Sequence, residues 1–183
     1  MKPTVWDSDE AVDEAVEHGL STAGHTPTAH PARALVEAIC AASNSKLWDE
    51  ARLEWRLALV YIEYDGTCVC GQHPIHERCE IRNIRNGHTM EVGNICVHQF
   101  LGIETKAIFD GIRRVVRDHR SSFGFVAMAH FLRCGWMSDW ECEFYRDTLR
   151  RQKRSLTAKQ IEKCTQINEK MLRLVHSRGL NRD

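Results

Sequence analysis

No stretch of this sequence approaches the roughly 18 to 20 uninterrupted apolar residues that an α-helix needs to span a bilayer. The first residues are acidic and lack both the basic and the apolar segment of a secretory signal. We therefore expect a cytoplasmic protein, in which thiols stay reduced. In that compartment the 8 cysteines of the chain favour metal binding or burial over disulfide bonds.

Common catalytic motifs are also missing. The chain contains no glycine-rich phosphate loop, nucleophile elbow, H-E-x-x-H or paired-carboxylate motif. A hairpin followed by a helix with His88, Asn94 and His98 is loosely similar to the ββα metal-dependent nucleases of the His-Asn-His type. Those need a histidine where the first strand ends, and here that strand ends in Asn83-Ile84-Arg85. We predict that the protein is not an enzyme, with a metal-dependent nuclease as an alternative.

The net charge is zero, but the charges are unevenly distributed. Residues 1–63 carry 5 basic and 11 acidic side chains, residues 64–110 carry 4 and 6, and residues 111–183 carry 16 and 8. A basic C-terminal region permits an anionic partner. The same distribution permits attraction between the two ends of the chain, or ordinary solvated helix faces.

The hydrophobic periodicity predicts an α+β fold that is mostly helical. We expect four segments: an acidic tail or linker (1–29), N-terminal helices (30–58), a zinc-binding β module (59–103) and a basic helical region (104–183). Helices are predicted from Ala32 and over residues 46–55. Residues 57–64, rich in aliphatic and aromatic side chains, suit a strand.

The β module is predicted to be a hairpin with a helix after it. Residues 75–84 and 88–96 suit two strands, and Asn86-Gly87 between them predicts a type I′ turn. The basic region should contain four helices. Capping boxes predict where two of them begin, one formed by Ser138 with Glu141 and one by Thr157 with Gln160.

Four cysteines of the β module could meet at one point. Cys68 and Cys70 lie in a C-x-C-G turn, Cys79 lies in the first hairpin strand, and Cys96 lies at the start of the following helix. Four thiolates in a tetrahedron form a closed structural zinc site. A knuckle, a hairpin and a helix together indicate a zinc ribbon or a treble-clef-like finger. His73, His76 and His98 are substitute ligands, with His98 favoured because it follows Cys96 by two positions.

The chain resembles a zinc-finger-like module found in proteins of bacteriophages and other mobile elements. The residues that carry the resemblance are the C-V-C-G run at 68–71, Ile75, Cys79, Ile81, Asn83, Gly87, the V-G-N-I-C-V run at 92–97 and Phe100. Upstream, Trp48, Ala51, Glu54 and Trp55 are similar to the lead-in of that module, and the capped pattern from Trp140 to Lys170 is similar to the helical tail. The resemblance implies a viral or plasmid-borne zinc-binding accessory protein that works on nucleic-acid machinery.

Two functions remain open from the sequence. The first is binding of DNA or RNA, because clustered basic side chains neutralise phosphates; its candidates are Arg113, Arg114, Arg117, Arg146, Arg150, Arg151, Lys153 and Arg154. The second is a protein-targeting role, as an inhibitor or adaptor of a host nucleic-acid-handling or defence complex, such as an anti-CRISPR. Its candidates are the acidic residues Asp7, Asp9, Glu10, Asp13, Glu14 and Glu17. The sequence leaves the oligomeric state open.

Overall fold

A three-stranded antiparallel sheet forms the centre of the fold, and helices precede and follow it. The structure is a computed structural model, which describes residues 32–150, without the side chain of Arg150, and residues 155–179. The strands are β1 (Trp55–Gly66), β2 (Ile75–Asn83) and β3 (Thr89–Gly93), in the order β1-β2-β3. The predicted α+β class, mostly helical, is confirmed.

Seven helices lie in the described ranges. The elements are α1 (Arg33–Ala42), α2 (Trp48–Ala51), α3 (Asn94–Leu101), α4 (Thr105–Arg117), α5 (Phe125–Arg133), α6 (Asp139–Arg150) and α7 (Ala158–His176). None of them is long and apolar enough to cross a membrane. Both predicted capping boxes are present: Ser138 and Glu141 exchange hydrogen bonds at the start of α6, and Thr157 and Gln160 do so at the start of α7.

The predicted helix over residues 46–55 is shorter than expected. It ends after α2 and a 3-10 turn (Arg52–Glu54), and Trp55 already begins β1. The reason is Glu54, whose buried carboxylate accepts the backbone N–H groups of Asn44 and Ser45 and the side-chain amide of Asn83. These bonds join the loop before α2 to the end of β2, so the chain must turn out of the helix there.

The predicted type I′ turn at Asn86-Gly87 is wrong. Only Gly87 of that pair has a positive φ, of 78°, whereas a type I′ turn needs two. The Asn83 side chain explains the difference, because its oxygen accepts the N–H groups of Arg85 and Asn86 and thereby stabilises a longer loop. The hairpin itself is confirmed, with Cys79 opposite Val92 and Ile81 opposite Met90.

The turn that follows α7 is bound to the sheet by an ionic and aromatic network. Arg178 lies over the ring of Tyr61 at 4.3 Å and donates to its hydroxyl at 2.9 Å. It also pairs with Glu91, which pairs in turn with Arg78, and Arg78 binds Glu63. The network crosses all three strands, so the last helix and the sheet form one packed unit.

Candidate metal centre

The turn between β1 and β2 has the shape of a metal-binding knuckle. The N–H of Cys68 donates to the carbonyl of Gln72 at 2.9 Å, and the N–H of Gly71 donates to the carbonyl of Cys68 at 2.8 Å. Gly71 has a φ of 93°, which side chains with a Cβ rarely adopt. The turn therefore presents the side chains of Cys68 and Cys70 over a short arc of backbone.

The hairpin brings a third cysteine to this turn. The chain leaves β3 at Gly93 and enters α3, so that Cys96 lies in the first turn of that helix. The sulfur atoms of Cys68, Cys70 and Cys96 all lie within 4.8 Å of one another. Three thiols at this separation could bind one metal ion, because zinc holds thiolate sulfurs at about 2.3 Å from itself.

The surroundings of Cys68 favour its thiolate form. The hydrogen bond between Cys68 and Cys96, with sulfurs 3.6 Å apart, lowers the pKa of Cys68, and the hydrogen bond from the N–H of Gly93 acts in the same direction. The same interaction raises the pKa of Cys96, since the pair then holds the proton on that sulfur. The thiolate is the form of cysteine that binds metals, so the lowered pKa of Cys68 favours metal binding at this cluster.

The structure does not bring Cys79 into this group. Its side chain is fully buried on the face of the sheet that also carries Val60 and Val92, its partners in β1 and β3. Burial raises the pKa of Cys79 far above its usual value. In this position, Cys79 is a small apolar core residue. From the sequence, Cys79 could be either a core residue or a ligand. The register of the strands decides which face of the sheet its side chain lies on.

The three histidines considered as substitutes lie outside the group as well. His73 approaches Gly66 and Thr67 with its Nδ1, at 3.2 Å and 3.1 Å, and so closes the knuckle loop. His98 is exposed and lies 3.6 Å from a carboxylate oxygen of Glu104. His76 is exposed, with its ring packed edge-on against Tyr64 at a centroid distance of 5.1 Å.

A pocket of about 310 Å³ opens onto the three cysteines. The knuckle and β2 provide one wall, with Gln72, Ile75 and His76, and the start of α3 provides the other, with Asn94 and Ile95. Glu77 also lines the pocket, but both of its carboxylate oxygens are engaged, one by Arg113 and one by the Asn94 amide. One side of the cluster is therefore accessible from solvent. No local pattern in the sequence indicates this pocket, because its two walls come from elements that are separated in the chain.

The predicted nucleic-acid residues have different environments. Arg113 is bound to Glu77 and Asp110, and Arg114 donates to the carbonyl of Ser122 at 2.8 Å. Arg117 is exposed at the end of α4, whereas Arg146 is half-buried on α6. The side chains of Arg150, Arg151, Lys153 and Arg154 lie outside the described residues, as do the acidic candidates Asp7, Asp9, Glu10, Asp13, Glu14 and Glu17.

A second concavity lies between the end of α4 and the C-terminal half of α7. It has a volume of about 600 Å³, and Val116 and Leu172 form its apolar part. Polar side chains surround them, namely His119, Glu169, Arg173 and His176. Val116 is half exposed because it borders this groove. We call this concavity the α4–α7 groove.

No protein-family model, no curated protein and no solved structure matches this chain.

Proposed function

We propose that the protein is a non-enzymatic zinc-binding accessory protein that binds nucleic acid. The observation that carries the proposal is the cluster of Cys68, Cys70 and Cys96, three sulfurs from two separate elements within 4.8 Å. A bound zinc ion would tie the knuckle to the first turn of α3 across the hairpin. The order of knuckle, hairpin and helix supports a treble-clef-like module, and an origin in a bacteriophage or another mobile element remains a prediction.

A structural role for the zinc fits the energetics of this region. In the part of the chain that the structure describes, the sheet has three strands, and β3 is five residues long, so few backbone hydrogen bonds hold the end of the hairpin. Zinc binding to thiolates stabilises the folded state directly, since the unfolded chain has no preformed site. The ion would then act on stability and on the position of α3.

Nucleic-acid binding is proposed for the α4–α7 side of the molecule. Arg117 and Arg173 are exposed and lie on the two helices that form the groove. The histidine rings and the apolar floor of the groove are suited to unstacked bases, as in proteins that bind single strands. Of the eight basic residues named from the sequence, Arg113 and Arg114 are already used within the fold, so we assign phosphate binding to Arg117 and add Arg173.

The zinc proposal is tested by metal content. When the metal content of the purified protein is measured by elemental mass spectrometry, it should be one zinc ion per chain. Cys96→Ser should lose that ion and lower the melting temperature, because one of three ligands is removed. The matched control is Cys40→Ser, a half-buried cysteine of α1 far along the chain from the cluster, which should retain the ion. Equal zinc content in the two variants would contradict the assignment.

The nucleic-acid proposal is tested by fluorescence anisotropy with labelled single- and double-stranded DNA and RNA across a salt series. The double variant Arg117→Ala with Arg173→Ala should weaken binding evenly across sequences. It should also reduce the salt slope by about 1.4 for a single strand, at about 0.7 for each phosphate that is no longer neutralised. Arg33→Ala with Lys159→Ala removes the same charge from exposed positions elsewhere and is the control. An absence of binding near physiological salt, or equal slopes in the two double variants, would refute this part.

A further inference from the structure

We propose that the metal centre has only three protein ligands and that its fourth position faces the pocket, where it is open to a small soft donor such as a thiolate. This inference rests on the proposed zinc site and deepens it. It departs from a closed site of four cysteines, because it assigns no ligand role to Cys79.

The three sulfurs are buried on one side of the cluster and face a pocket on the other. Cys68 and Cys96 are almost fully buried, at 2% and 7% exposure, whereas Cys70 is partly exposed. The exposed side of the cluster is the pocket of about 310 Å³. Pockets that hold small ligands begin at roughly 300 Å³, so this one can admit a solvent molecule or a small thiol beside the metal.

A fourth protein ligand would have to come from the other side chains that line the pocket. Glu77 is committed to Arg113 and Asn94 through both oxygens. His76 lines the pocket but packs against Tyr64 and is not within 4.8 Å of all three sulfurs. Gln72 and Ile95 are not metal ligands of zinc sites of this kind.

Cys79 is fully buried on the sheet beside its strand partners Val60 and Val92, and it is absent from the group of mutually close sulfurs. To ligate, it would have to leave the packed face of the sheet, which holds it from both neighbouring strands. A zinc site with three protein ligands and one exchangeable position is the arrangement that zinc proteins use when a ligand must bind to the metal.

The experiment replaces zinc with cobalt(II), whose absorption reports the number of bound thiolates, in the full-length protein reduced with a phosphine. The cobalt protein should show the charge-transfer intensity of three thiolates, and Cys79→Ala should leave it unchanged. Added 2-mercaptoethanol should raise the intensity by about one third, as three thiolates become four. X-ray absorption of the zinc-loaded wild-type protein should give three sulfurs and one lighter atom, which tests the count without any variant.

The possible failures are distinguishable. If cobalt and zinc do not bind at all, the proposed zinc function fails and this inference fails with it. If metal binds with four sulfurs and Cys79→Ala removes about a quarter of the intensity, zinc binding stands and the open position is refuted. If the wild type ignores 2-mercaptoethanol but His76→Ala responds to it, His76 fills the position and the inference is likewise refuted.

Discussion

Replacing Asn168 tests the account of how α7 is held, and therefore of the α4–α7 groove. Asn168 is fully buried in α7. Its amide nitrogen donates to the carbonyls of His119 and Ser121, both at 2.7 Å, and its oxygen accepts the Tyr145 hydroxyl at 2.5 Å. One side chain thus binds the loop after α4 and the middle of α6, and it fixes His119, which forms one edge of the groove.

The magnitude follows from these three bonds. Each buried hydrogen bond contributes about 1 kcal/mol net, so Asn168→Ala should lower the free energy of unfolding by about 3 kcal/mol. For a chain of this size, 1 kcal/mol corresponds to about 2–4 °C in melting temperature, which gives a decrease of about 6–12 °C. The hydroxyl of Tyr145 would keep its bond from the N–H of Phe123, so the network would weaken rather than vanish.

The assay is urea unfolding of the purified protein, followed by tryptophan fluorescence, with Gln166→Ala as the control. Gln166 lies two residues earlier on the same helix and is exposed, so its replacement should change stability by less than about 0.5 kcal/mol. If Asn168→Ala lowered the free energy of unfolding no more than Gln166→Ala, the three hydrogen bonds would not stabilise the helix and the prediction would be wrong.

Three further predictions concern packing and titration. Gly111→Ala should destabilise the protein by about 1–3 kcal/mol, because the added Cβ would overlap the carbonyl of Phe123 where α4 packs on the segment before α5; unchanged urea unfolding would contradict this. Backbone N–H groups of Ser45 and Asn44 and the Asn83 amide lower the pKa of Glu54. Stability from Glu54 should therefore be present above its unfolded pKa and be lost as the pH falls through the lower folded value. Glu54→Gln should flatten that acid limb, and an unchanged limb would argue against the three bonds. Burial lowers the pKa of His130 to about 3, so the unfolded chain takes up a proton that the folded protein excludes. Stability should thus fall as the pH drops below about 6.5, by about 1.4 kcal/mol per unit. His130→Leu should remove that slope, and equal slopes in the two proteins would refute it.

The sequence predicted those elements whose signals are local. Ser138 and Thr157 each meet their partner three residues later, so the helix starts were readable without any knowledge of packing. The hairpin was predicted for the same reason, since its strands are adjacent in the chain. The turn was mispredicted because Asn83 decides it through its side chain, and the helix over residues 46–55 was overextended because Glu54 binds groups on both sides of it.

The candidate site could be predicted only in part. The C-x-C-G spacing and the position of Cys96 at a helix start identified three members of the cluster. The direction of the Cys79 side chain depends on the strand register, which spacing alone did not settle. The nucleic-acid-binding residues were harder to predict, because the number of arginines in a segment does not show which of them form ion pairs within the fold. Arg113 shows the problem, since its partner Glu77 lies 36 residues away and on a different element.

α4 contacts both the cysteine pocket and the α4–α7 groove. At its start, Thr105 donates to the carbonyl of Asn94 at 3.1 Å, and in its C-terminal half Arg113 binds Glu77 on the wall of the cysteine pocket. At its other end, Val116 borders the α4–α7 groove. A change in the position of α3 should therefore shift α4, the helix that carries Arg117. We predict that a metal ion bound at the three cysteines would hold the first turn of α3, and that its removal would change the shape of the groove through α4.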